Sequence, residues 1–487
     1  MSATPPSGTH DRDVVAAAAG SSGGPADLSH DGVRSLTAAL PSDLPPVERL
    51  AVMPLGFAAG GAAVGIKASG RPDLAVVLAT TGPAAAAAVF TPNPFAAAPV
   101  RLSQAHLAAT EPAGAGRYGW AEAIVSTSGS ANAATGAAGD RDQAEVAQAL
   151  AAGARVPVER TLLLSTGVIG TRLPLDRVTS GLARLVPDGL AATGAGLEAA
   201  AVALRTTDSR TKLATTTVEL PGAAGQPISI RISGIAKGVG MIHPRMATML
   251  AIVLTDASVE PAVLHGLLRA ATVRTWDQLS VDGDTSTNDT VFALASGAAG
   301  AAPVERHSPA AAALGRALEA VARDLARQQA ADGEGATTLL TCQVSGADDE
   351  ADARAIARAV ISSSLVKAAA HGHDPNWGRI VAAAGNARLA DAAVLEAGGL
   401  SMTEAAGRAG RPVPLDPNLL RVAIAGQLVF DGSAGGPTPF DRPAGRAAMD
   451  APEVLIRLDL GLGAGTGEAF GCDLSEAYVI ENSEYTT

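Results

Sequence analysis

A threonine preceded by alanine lies in an apolar stretch near the middle of the chain. Residues 240–250 read GMIHPRMATML, where Ala247 and Thr248 follow a His-Pro-Arg turn. A threonine hydroxyl needs a nearby base to act as a nucleophile, and the α-amine of an N-terminal threonine can be that base. Its pKa of about 7.7 to 8 suits a general base at neutral pH. Attack of the Thr248 hydroxyl on the Ala247 carbonyl would give an ester that water opens, which cleaves the chain and creates this N-terminus.

The spacing alone leaves a second interpretation open, because Ala-Thr pairs are common: Thr248 as an ordinary, partly buried strand residue. Nucleophilic attack on a carbonyl also requires donors for the negative oxygen that develops. The segment STGVIG, residues 165–170, has a Thr-Gly pair at the end of a predicted strand. Thr166 could donate through its hydroxyl and Gly167 through its backbone N–H.

The elements that must position these residues are strands and helices in mixed order. Apolar runs bounded by Gly-Pro or Thr-Pro predict buried strands, and alternation on both sides of PGAAGQP predicts a hairpin. Predicted strands or strand–loop segments are residues 74–80, 85–90, 122–136, 160–170, 212–220, 228–238, 249–257, 337–347, 420–426, 454–461 and AYVIENS at 477–483. Predicted helices are residues 140–154, 174–186, 196–208, 259–272, 309–330 and 350–370. The pattern predicts an α/β fold whose mixed sheets, with several antiparallel pairs, are layered with helices.

The composition limits the class of protein. At 487 residues the chain is long enough for two domains, and residues 1–48, rich in Ala, Gly, Ser and Pro, are predicted to be a disordered extension. A net charge of −12 argues against nucleic acid or an anionic membrane as a partner. The two cysteines, Cys342 and Cys472, suit a reducing compartment. No signal peptide or apolar span is recognised, so a cytoplasmic location is expected.

Lysine is scarce, although Lys and Arg together number 36. A lysine in such a chain can be retained because its compact, titratable charge is needed. The alternative, given equal weight, is that these are ordinary surface lysines. The lysines are Lys67, Lys212, Lys237 and Lys367.

Several short motifs match a known functional pattern only in part. GAGRYG at 114–119 lies between a helix and a strand, the reverse of the order in a dinucleotide-binding turn. The stretch from Asp282 lacks the sixth-position glycine and the twelfth-position glutamate of a calcium loop. HGHD at 371–374 offers two histidines without a third ligand nearby, so no metal site is predicted.

The segment GIAKGVGMIHPRMATML, residues 234–250, closely resembles the self-cleavage site of the ArgJ family, the ornithine acetyltransferases or glutamate N-acetyltransferases. The resemblance covers roughly residues 52–487. It includes STGVIG, TTD, VDGDTSTND, DGEGAT, LVKAAAHGHDPNWGRI and GCDLSEAYVIENSEYTT, in that order.

The resemblance implies a role for each matching residue. Thr248 would be the nucleophile of both self-cleavage and acetyl transfer, with the cut between Ala247 and Thr248. Thr166 and Gly167 would form the oxyanion hole. The substrate-binding residues would be Thr206 or Thr207, Lys237, Glu334, Asn482 and Thr487. Glu334 as a surface charge at a helix end, and Asn482 as a turn residue at a strand end, remain alternatives.

The resemblance also implies a fold of the ArgJ/DmpA-like type with two domains and a reaction without a cofactor. Self-cleavage would give an alpha chain, residues 49–247 after the extension, and a beta chain, residues 248–487. Two of each would form a heterotetramer. N-acetylornithine would give its acetyl group to the threonine and glutamate would remove it, and acetyl-CoA serves some members as a substrate.

The chain departs from the family pattern in places. NSGNANA reads TSGSANA here, with Thr127 and Ser130 in place of asparagines; DGEGATK ends in Thr338, and TFN reads TWD at 275–277. These departures bear on the substrate. The alternatives are therefore a paralogue for a related amino acid in a specialised pathway, an N-terminal-nucleophile aminopeptidase or amidase, and an uncleaved protein with a binding role.

Overall fold

The computed structural model describes residues 43–222, 224–242 and 249–483. Residues 1–42 of the predicted extension lie outside this part of the chain, as do Ala247, Thr248 and Thr487. Of the rest of the predicted extension, Glu48 pairs with Thr215 through two backbone hydrogen bonds of 2.8 Å.

The described chain alternates between strands and helices. The strands are β1 Phe57–Ala62, β2 Leu74–Ala79, β3 Ala84–Phe90, β4 Tyr118–Ala121, β5 Ala123–Ser130, β6 Thr161–Val168, β7 Lys212–Pro221, β8 Pro227–Lys237, β9 Leu250–Thr255, β10 Leu279–Ser280, β11 Thr290–Ala295, β12 Leu339–Ala347, β13 Arg421–Ile424, β14 Gln427–Asp431, β15 Gly436–Pro437, β16 Glu453–Asp459 and β17 Gly465–Cys472. The helices are α1 Ala98–Thr110, α2 Gly136–Ala154, α3 Leu175–Leu185, α4 Gly194–Leu204, α5 Pro261–Arg274, α6 Pro309–Ala331, α7 Glu350–Ser362, α8 Ser364–His371, α9 Trp377–Gly385, α10 Ala392–Ala397, α11 Met402–Arg408, α12 Arg442–Met449 and α13 Glu476–Ser483.

These strands form three sheets. The four-stranded sheet has the order β1-β2-β5-β6, the six-stranded sheet β4-β3-β11-β9-β8-β7, and the seven-stranded sheet β10-β17-β12-β16-β13-β14-β15. Each sheet combines antiparallel pairs with a parallel one, for example β5–β6, β9–β11 and β12–β16. The predicted α/β fold with mixed sheets is confirmed.

The hairpin predicted around PGAAGQP is present as β7 and β8. Its antiparallel pairing extends from Lys212–Ala236 to Pro221–Pro227. On its other side β8 pairs with β9, where Lys237 lies opposite Leu250. The end of β8 and the start of β9 are therefore neighbours, and the residues that link them in sequence include Thr248.

Helix α4 packs in the core that the four-stranded and six-stranded sheets share. Its Leu197 and Leu204 belong to one buried cluster with Phe57 of β1 and Ile235 of β8. Many other members of the cluster are alanines, so this core consists of many small contacts, as the composition indicates. The other face of the four-stranded sheet is covered by α2 and α3.

The long helix α6 joins the six-stranded sheet to the seven-stranded sheet through polar side chains. Gln329 Nε2 donates to the carbonyl oxygen of Lys237, at the end of β8, over 2.8 Å. On the other side, the buried guanidinium of Arg327 donates to Glu453 of β16 over 2.9 Å. The C-terminal end of α6 is thereby fixed beside β8, and Glu334 follows it in sequence.

Two predicted elements differ from the structure. Residues 350–370 form α7 and α8 rather than one helix, because Ser363 interrupts them and its Oγ accepts from Val366 N as the cap of α8. AYVIENS lies in helix α13, so the prediction of a strand is wrong. Its Val479 and Ile480 are 62% and 61% exposed, so the apolar run does not mark a buried strand.

Among the helices in the described ranges, none has the length and apolarity of a bilayer span. Cys342 and Cys472 are both buried free thiols.

Candidate active site

A cavity of about 310 Å³ opens where the ends of β6 and β8 meet the loops after α4 and α6. Its lining residues are Ala131, Thr166, Gly167, Val168, Ile169, Thr206, Thr207, Lys237, Gly240, Met241, Ser286, Asn288, Glu334 and Asn482. The cavity thus brings together seven of the residues selected from the sequence, which are distant from one another along the chain. The other three, Ala247, Thr248 and Thr487, lie outside the described residues.

The Thr-Gly pair sits at an irregularity between β5 and β6. The parallel register shifts at Gly129 and Ser130, opposite Thr166 and Gly167. Gly167 has a φ of 129°, and a Cβ atom there would lie 2.4 Å from the carbonyl carbon of Gly129. Glycine alone tolerates both the dihedral angle and the approach. The bulge therefore requires glycine at the position after Thr166.

Lys237 is the last residue of β8, and its ammonium group contacts this pair. Lys237 Nζ donates to Thr166 Oγ1 over 3.2 Å, and the lysine is only 3% exposed. Burial lowers the pKa of Lys237, while the carboxylates of Asp208 and Glu334 oppose this change. Because Thr166 Oγ1 accepts from the lysine, its own hydroxyl proton is left to donate to a third group. A developing oxyanion is such a group.

Glu334 is held in the opposite wall by two side chains. Its carboxylate accepts from Thr207 Oγ1 over 2.8 Å and from Asn482 Nδ2 over 3.0 Å. A Cβ atom at residue 240 would lie 2.1 Å from Glu334 Oε2, so Gly240 makes room for the carboxylate. Each carboxylate oxygen can accept more than one hydrogen bond, so Glu334 can still accept from a bound ammonium group.

A buried ion triad joins the loops that carry these residues. Lys212 Nζ donates to Asp208 Oδ1 over 2.6 Å and to Asp332 Oδ2 over 2.5 Å, and Lys212 is fully buried. Asp208 also accepts from the backbone N–H groups of Thr206, over 3.0 Å, and Gly238, over 2.8 Å. Burial alone would raise the pKa of Asp208, but the charges of Lys212 and Lys237 and the hydrogen bonds from Lys212 and Gly238 bring it well below its usual range. The triad therefore links the neighbours of Thr207, Lys237 and Glu334.

Asn288 is a lining residue that the sequence analysis missed. Its Nδ2 donates to the carbonyl oxygens of Ala131, over 2.7 Å, and Ser165, over 2.8 Å. Asn288 thereby connects the loop after β5 to the residue before Thr166. The sequence signal for Asn288 is the TND segment, which enters the sequence analysis only as part of the resemblance.

The residues that depart from the family pattern bond to the framework around the cavity. Thr127 Oγ1 is 2.9 Å from Ser165 Oγ, and Ser130 Oγ donates to Thr171 O over 2.8 Å. In the same stretch, Ala131 is the residue that lines the cavity. The replaced asparagines thus correspond to structural positions beside the cavity wall.

The HGHD segment has a structural explanation. His371 Nδ1 lies 2.8 Å from Asp473 Oδ2, and Nε2 lies 3.2 Å from Glu476 Oε2. Within the ranges that the structure describes, no group of three or more His, Cys, Asp or Glu residues is arranged to hold a metal ion.

Comparison with known proteins identifies the family of this chain. The model of the ArgJ family matches residues 58–487. The arginine biosynthesis bifunctional protein ArgJ of Thermosynechococcus vestitus is 42% identical, over 89% of this chain and 96% of its own length. The protein of the same name from Deinococcus radiodurans is 44% identical, over 89% of this chain and 97% of its own length. A crystal structure of ArgJ from Bacillus halodurans is 36% identical, with a TM-score of 0.41, and covers 48% of this chain and 97% of the compared one. The chain belongs to the ArgJ family.

Proposed function

We propose that the chain cleaves itself before Thr248 and then moves the acetyl group of N2-acetylornithine to glutamate through an acetyl ester on Thr248. Membership of the ArgJ family supports this function. The observation that carries it is the meeting of Thr166, Gly167, Lys237 and Glu334 in one cavity beside the strand that follows Thr248. Thr248 itself enters the proposal from the sequence.

The proposed transfer has two steps. The Thr248 hydroxyl attacks the acetyl carbonyl of acetylornithine, and its proton passes to the α-amine of residue 248. The amide C–N bond breaks, and the ornithine nitrogen leaves with a proton. The α-amine of glutamate then attacks the ester, which yields N-acetylglutamate and restores the hydroxyl.

Each tetrahedral intermediate bears a negative oxygen that requires donors. The Thr166 hydroxyl and the Gly167 N–H would donate to it, and the ammonium group of Lys237 occupies one lone pair of Thr166 Oγ1. The same pair of donors would serve self-cleavage, whose intermediate forms on the Ala247 carbonyl.

The binding wall fits the cationic end of acetylornithine. Glu334 would accept from the side-chain ammonium, with Thr207 and Asn482 holding its carboxylate in place. Thr206 also lines the cavity. With Thr487, it completes the proposed substrate-binding set.

The proposal includes an assembly and a location. Two alpha and two beta chains would form the heterotetramer, and native mass spectrometry of the purified protein tests this stoichiometry. The buried free thiols suit a reducing compartment such as the cytoplasm, and fractionation of source cells tests that location.

The cleavage experiment needs only the purified chain. Cleavage before Thr248 gives fragments of 247 and 240 residues, and the second begins Thr-Met-Leu-Ala. A denaturing gel with N-terminal sequencing should show both fragments, and Thr248→Ala should remain one band. Thr248→Ser, which keeps a hydroxyl, is the matched control and should still cleave. A single full-length band in active wild-type protein contradicts the mechanism.

The transfer experiment separates the remaining functions. The cleaved protein is incubated with N-acetylornithine, with and without glutamate, and in parallel with acetyl-CoA as the donor. Formation of N-acetylglutamate in the incubation that contains glutamate supports the transferase. Acetate released at equal rates in both incubations indicates an amidase instead. Faster transfer to another amino acid indicates a paralogue of a specialised pathway.

A further inference from the structure

Asp289 holds the residue that follows the proposed nucleophile. It lies immediately before β11 and is 0% exposed. Asp289 Oδ1 accepts from the backbone N–H of Met249 over 3.0 Å. The next residue, Thr290, donates its own N–H to the carbonyl oxygen of Met249 over 3.1 Å. Both backbone polar groups of Met249 are thus fixed by two consecutive residues.

This contact matters because of the covalent chain. The N–H of Met249 belongs to the peptide bond whose carbonyl comes from Thr248. Before cleavage, Thr248 is tethered on both sides. After cleavage, the bond to Met249 is its only covalent tether, and the α-amine and the hydroxyl both belong to residue 248. The hydrogen bond that Met249 N–H donates to Asp289 therefore restrains the peptide group that must orient the base and the nucleophile together.

The surroundings of Asp289 favour an uncharged carboxyl. Burial raises the pKa of Asp289 well above its usual range, and the N–H of Met249, the charge of Lys237 and the N–H of Ser286 only partly oppose it. Asp289 Oδ2 is buried, and no side-chain or backbone group among the described residues lies within hydrogen-bonding geometry of it. An ionised carboxylate in this place carries a larger desolvation cost than the protonated form does.

We propose that Asp289 is a positioning residue for Thr248, which holds the Thr248–Met249 peptide group as a neutral hydrogen-bond acceptor and not as a charged base. The inference rests on the proposed function. It assigns Asp289 no contact with substrate and no proton transfer.

The test compares Asp289→Asn and Asp289→Ala in the full chain. Asparagine keeps an acceptor oxygen and the shape of the carboxyl but cannot ionise, and alanine removes the hydrogen bond. The readouts are the half-time of cleavage, kcat and KM for acetylornithine, the pH profile of kcat, and the melting temperature. Asp289→Asn should keep kcat and the pH profile within about threefold. Asp289→Ala should lose cleavage rate and kcat on the order of 100-fold, because small misplacements of reacting groups have effects of this size.

Asp256 supplies the matched control at the other end of β9. It is 2% exposed and likewise accepts backbone N–H groups, from Arg231 over 2.8 Å and from Leu55 over 3.2 Å. Asp256→Ala should lower the melting temperature by a similar amount and leave kcat of the folded protein unchanged. If both alanine variants lose kcat equally, the role of Asp289 is merely structural and the inference is wrong.

Other outcomes are also decisive. A folded Asp289→Asn that loses kcat more than tenfold, or loses a limb of the pH profile, shows that charge matters and overturns the inference. If Asp289→Ala does not fold, Asp289→Ser, with its shorter reach, takes its place with the same expectations. If the wild-type protein cleaves itself and Asp289→Ala is fully active, only this inference is overturned. Wild type that stays whole overturns the proposed function and this inference with it.

Discussion

At the scale of single residues, the lysines make the specific contacts that their scarcity in the composition indicated. All of them form hydrogen bonds through Nζ. Lys212, Lys237 and Lys367 are buried, and Lys67 is half-buried. Lys67 donates to the carbonyl oxygens of Pro72 and Arg205, and Lys367 to those of Ser280 and Cys472. Lys212 centres the ion triad, and Lys237 contacts Thr166. A compact ammonium with three rotatable donors suits such sites.

The first prediction concerns Thr166. Thr166→Val keeps the shape of the side chain but removes the hydroxyl that Lys237 Nζ contacts. If that hydroxyl donates to the oxyanion, kcat should fall by about 10²- to 10³-fold, as for other donors of this kind, while KM changes little. Steady-state kinetics with acetylornithine measure this.

Its control is Thr161→Val, at the start of the same strand. Thr161 is also fully buried, and its hydroxyl donates to Val158 O over 2.7 Å, away from the cavity. This variant should lose stability but keep kcat. A wild-type kcat in the Thr166→Val enzyme would show that Thr166 does not belong to the oxyanion hole.

The second prediction concerns Glu334. Glu334→Gln removes the negative charge and keeps one acceptor oxygen, so one of the two hydrogen bonds from Thr207 and Asn482 can remain. A hydrogen bond to a charged group contributes about 1.5–3 kcal/mol, so KM for acetylornithine should rise roughly 10- to 150-fold. KM for glutamate, which has no side-chain ammonium, should rise much less.

Glu305→Gln is the control, because Glu305 is exposed and the same chemical change there should leave both constants unaltered. An equal rise in both Michaelis constants for Glu334→Gln would mean that Glu334 does not recognise the ammonium group.

At the scale of elements, the binding side chains come from loops that one triad fastens together. The loop after α4 carries Asp208, β7 begins with Lys212, and Asp332 follows α6. Lys212→Met would leave the buried carboxylate of Asp208 without its hydrogen-bonded cation, and that of Asp332 with only Arg210, 3.6 Å away. Breaking a buried pair in this way costs about 3–5 kcal/mol. The free energy of unfolding in urea should fall by that amount, and KM for acetylornithine should rise in the protein that remains folded.

The double variant Lys212→Met/Asp208→Asn is the matched control for this prediction. It removes one of the uncompensated charges, so it should recover part of the lost stability. If the double variant is less stable than the single one by the full cost of a separate Asp208→Asn change, the two residues are not coupled and the prediction is contradicted.

Local pattern was sufficient for most of the elements that the sequence analysis predicted. The β7–β8 hairpin alternates with period two, and α6 matches the helix predicted at 309–330 within one residue. The two wrong predictions have local causes. Ser363 provides a cap that the periodicity does not register, and α13 carries apolar residues that remain exposed within the described chain.

The partners within the candidate site were less predictable. Lys237 and Glu334 were selected from the resemblance and Thr166 from the Thr-Gly pair at a strand end, and the cavity brings them together. Asn288, Asp289 and the ion triad act through hydrogen bonds between residues far apart in sequence, such as Asp289 with Met249. No spacing rule predicts such contacts, because they depend on which strands become neighbours in the sheet.

At the scale of the whole molecule, the proposed cleavage point divides a single sheet. In the six-stranded sheet, β3, β4, β7 and β8 precede residue 248, and β9 and β11 follow it. β9 lies between β8 and β11, with pairing to β8 from Ile232–Thr255 to Lys237–Leu250. The buried cluster on this sheet also combines residues from both segments, for example Ile235 and Ile252. Cleavage would remove one covalent bond and leave this pairing and packing in place.

The last prediction follows from this arrangement. The cleaved fragments should co-elute in native size-exclusion chromatography and separate only in denaturant, because either one alone would expose strand edges and half of a core. Unfolding of the cleaved protein then also dissociates the fragments, so its urea midpoint should rise with protein concentration more steeply than that of the uncleaved Thr248→Ala variant. Equal concentration dependence of the two midpoints, or fragments that separate without denaturant, would show that each segment folds independently and that the shared sheet does not hold them together.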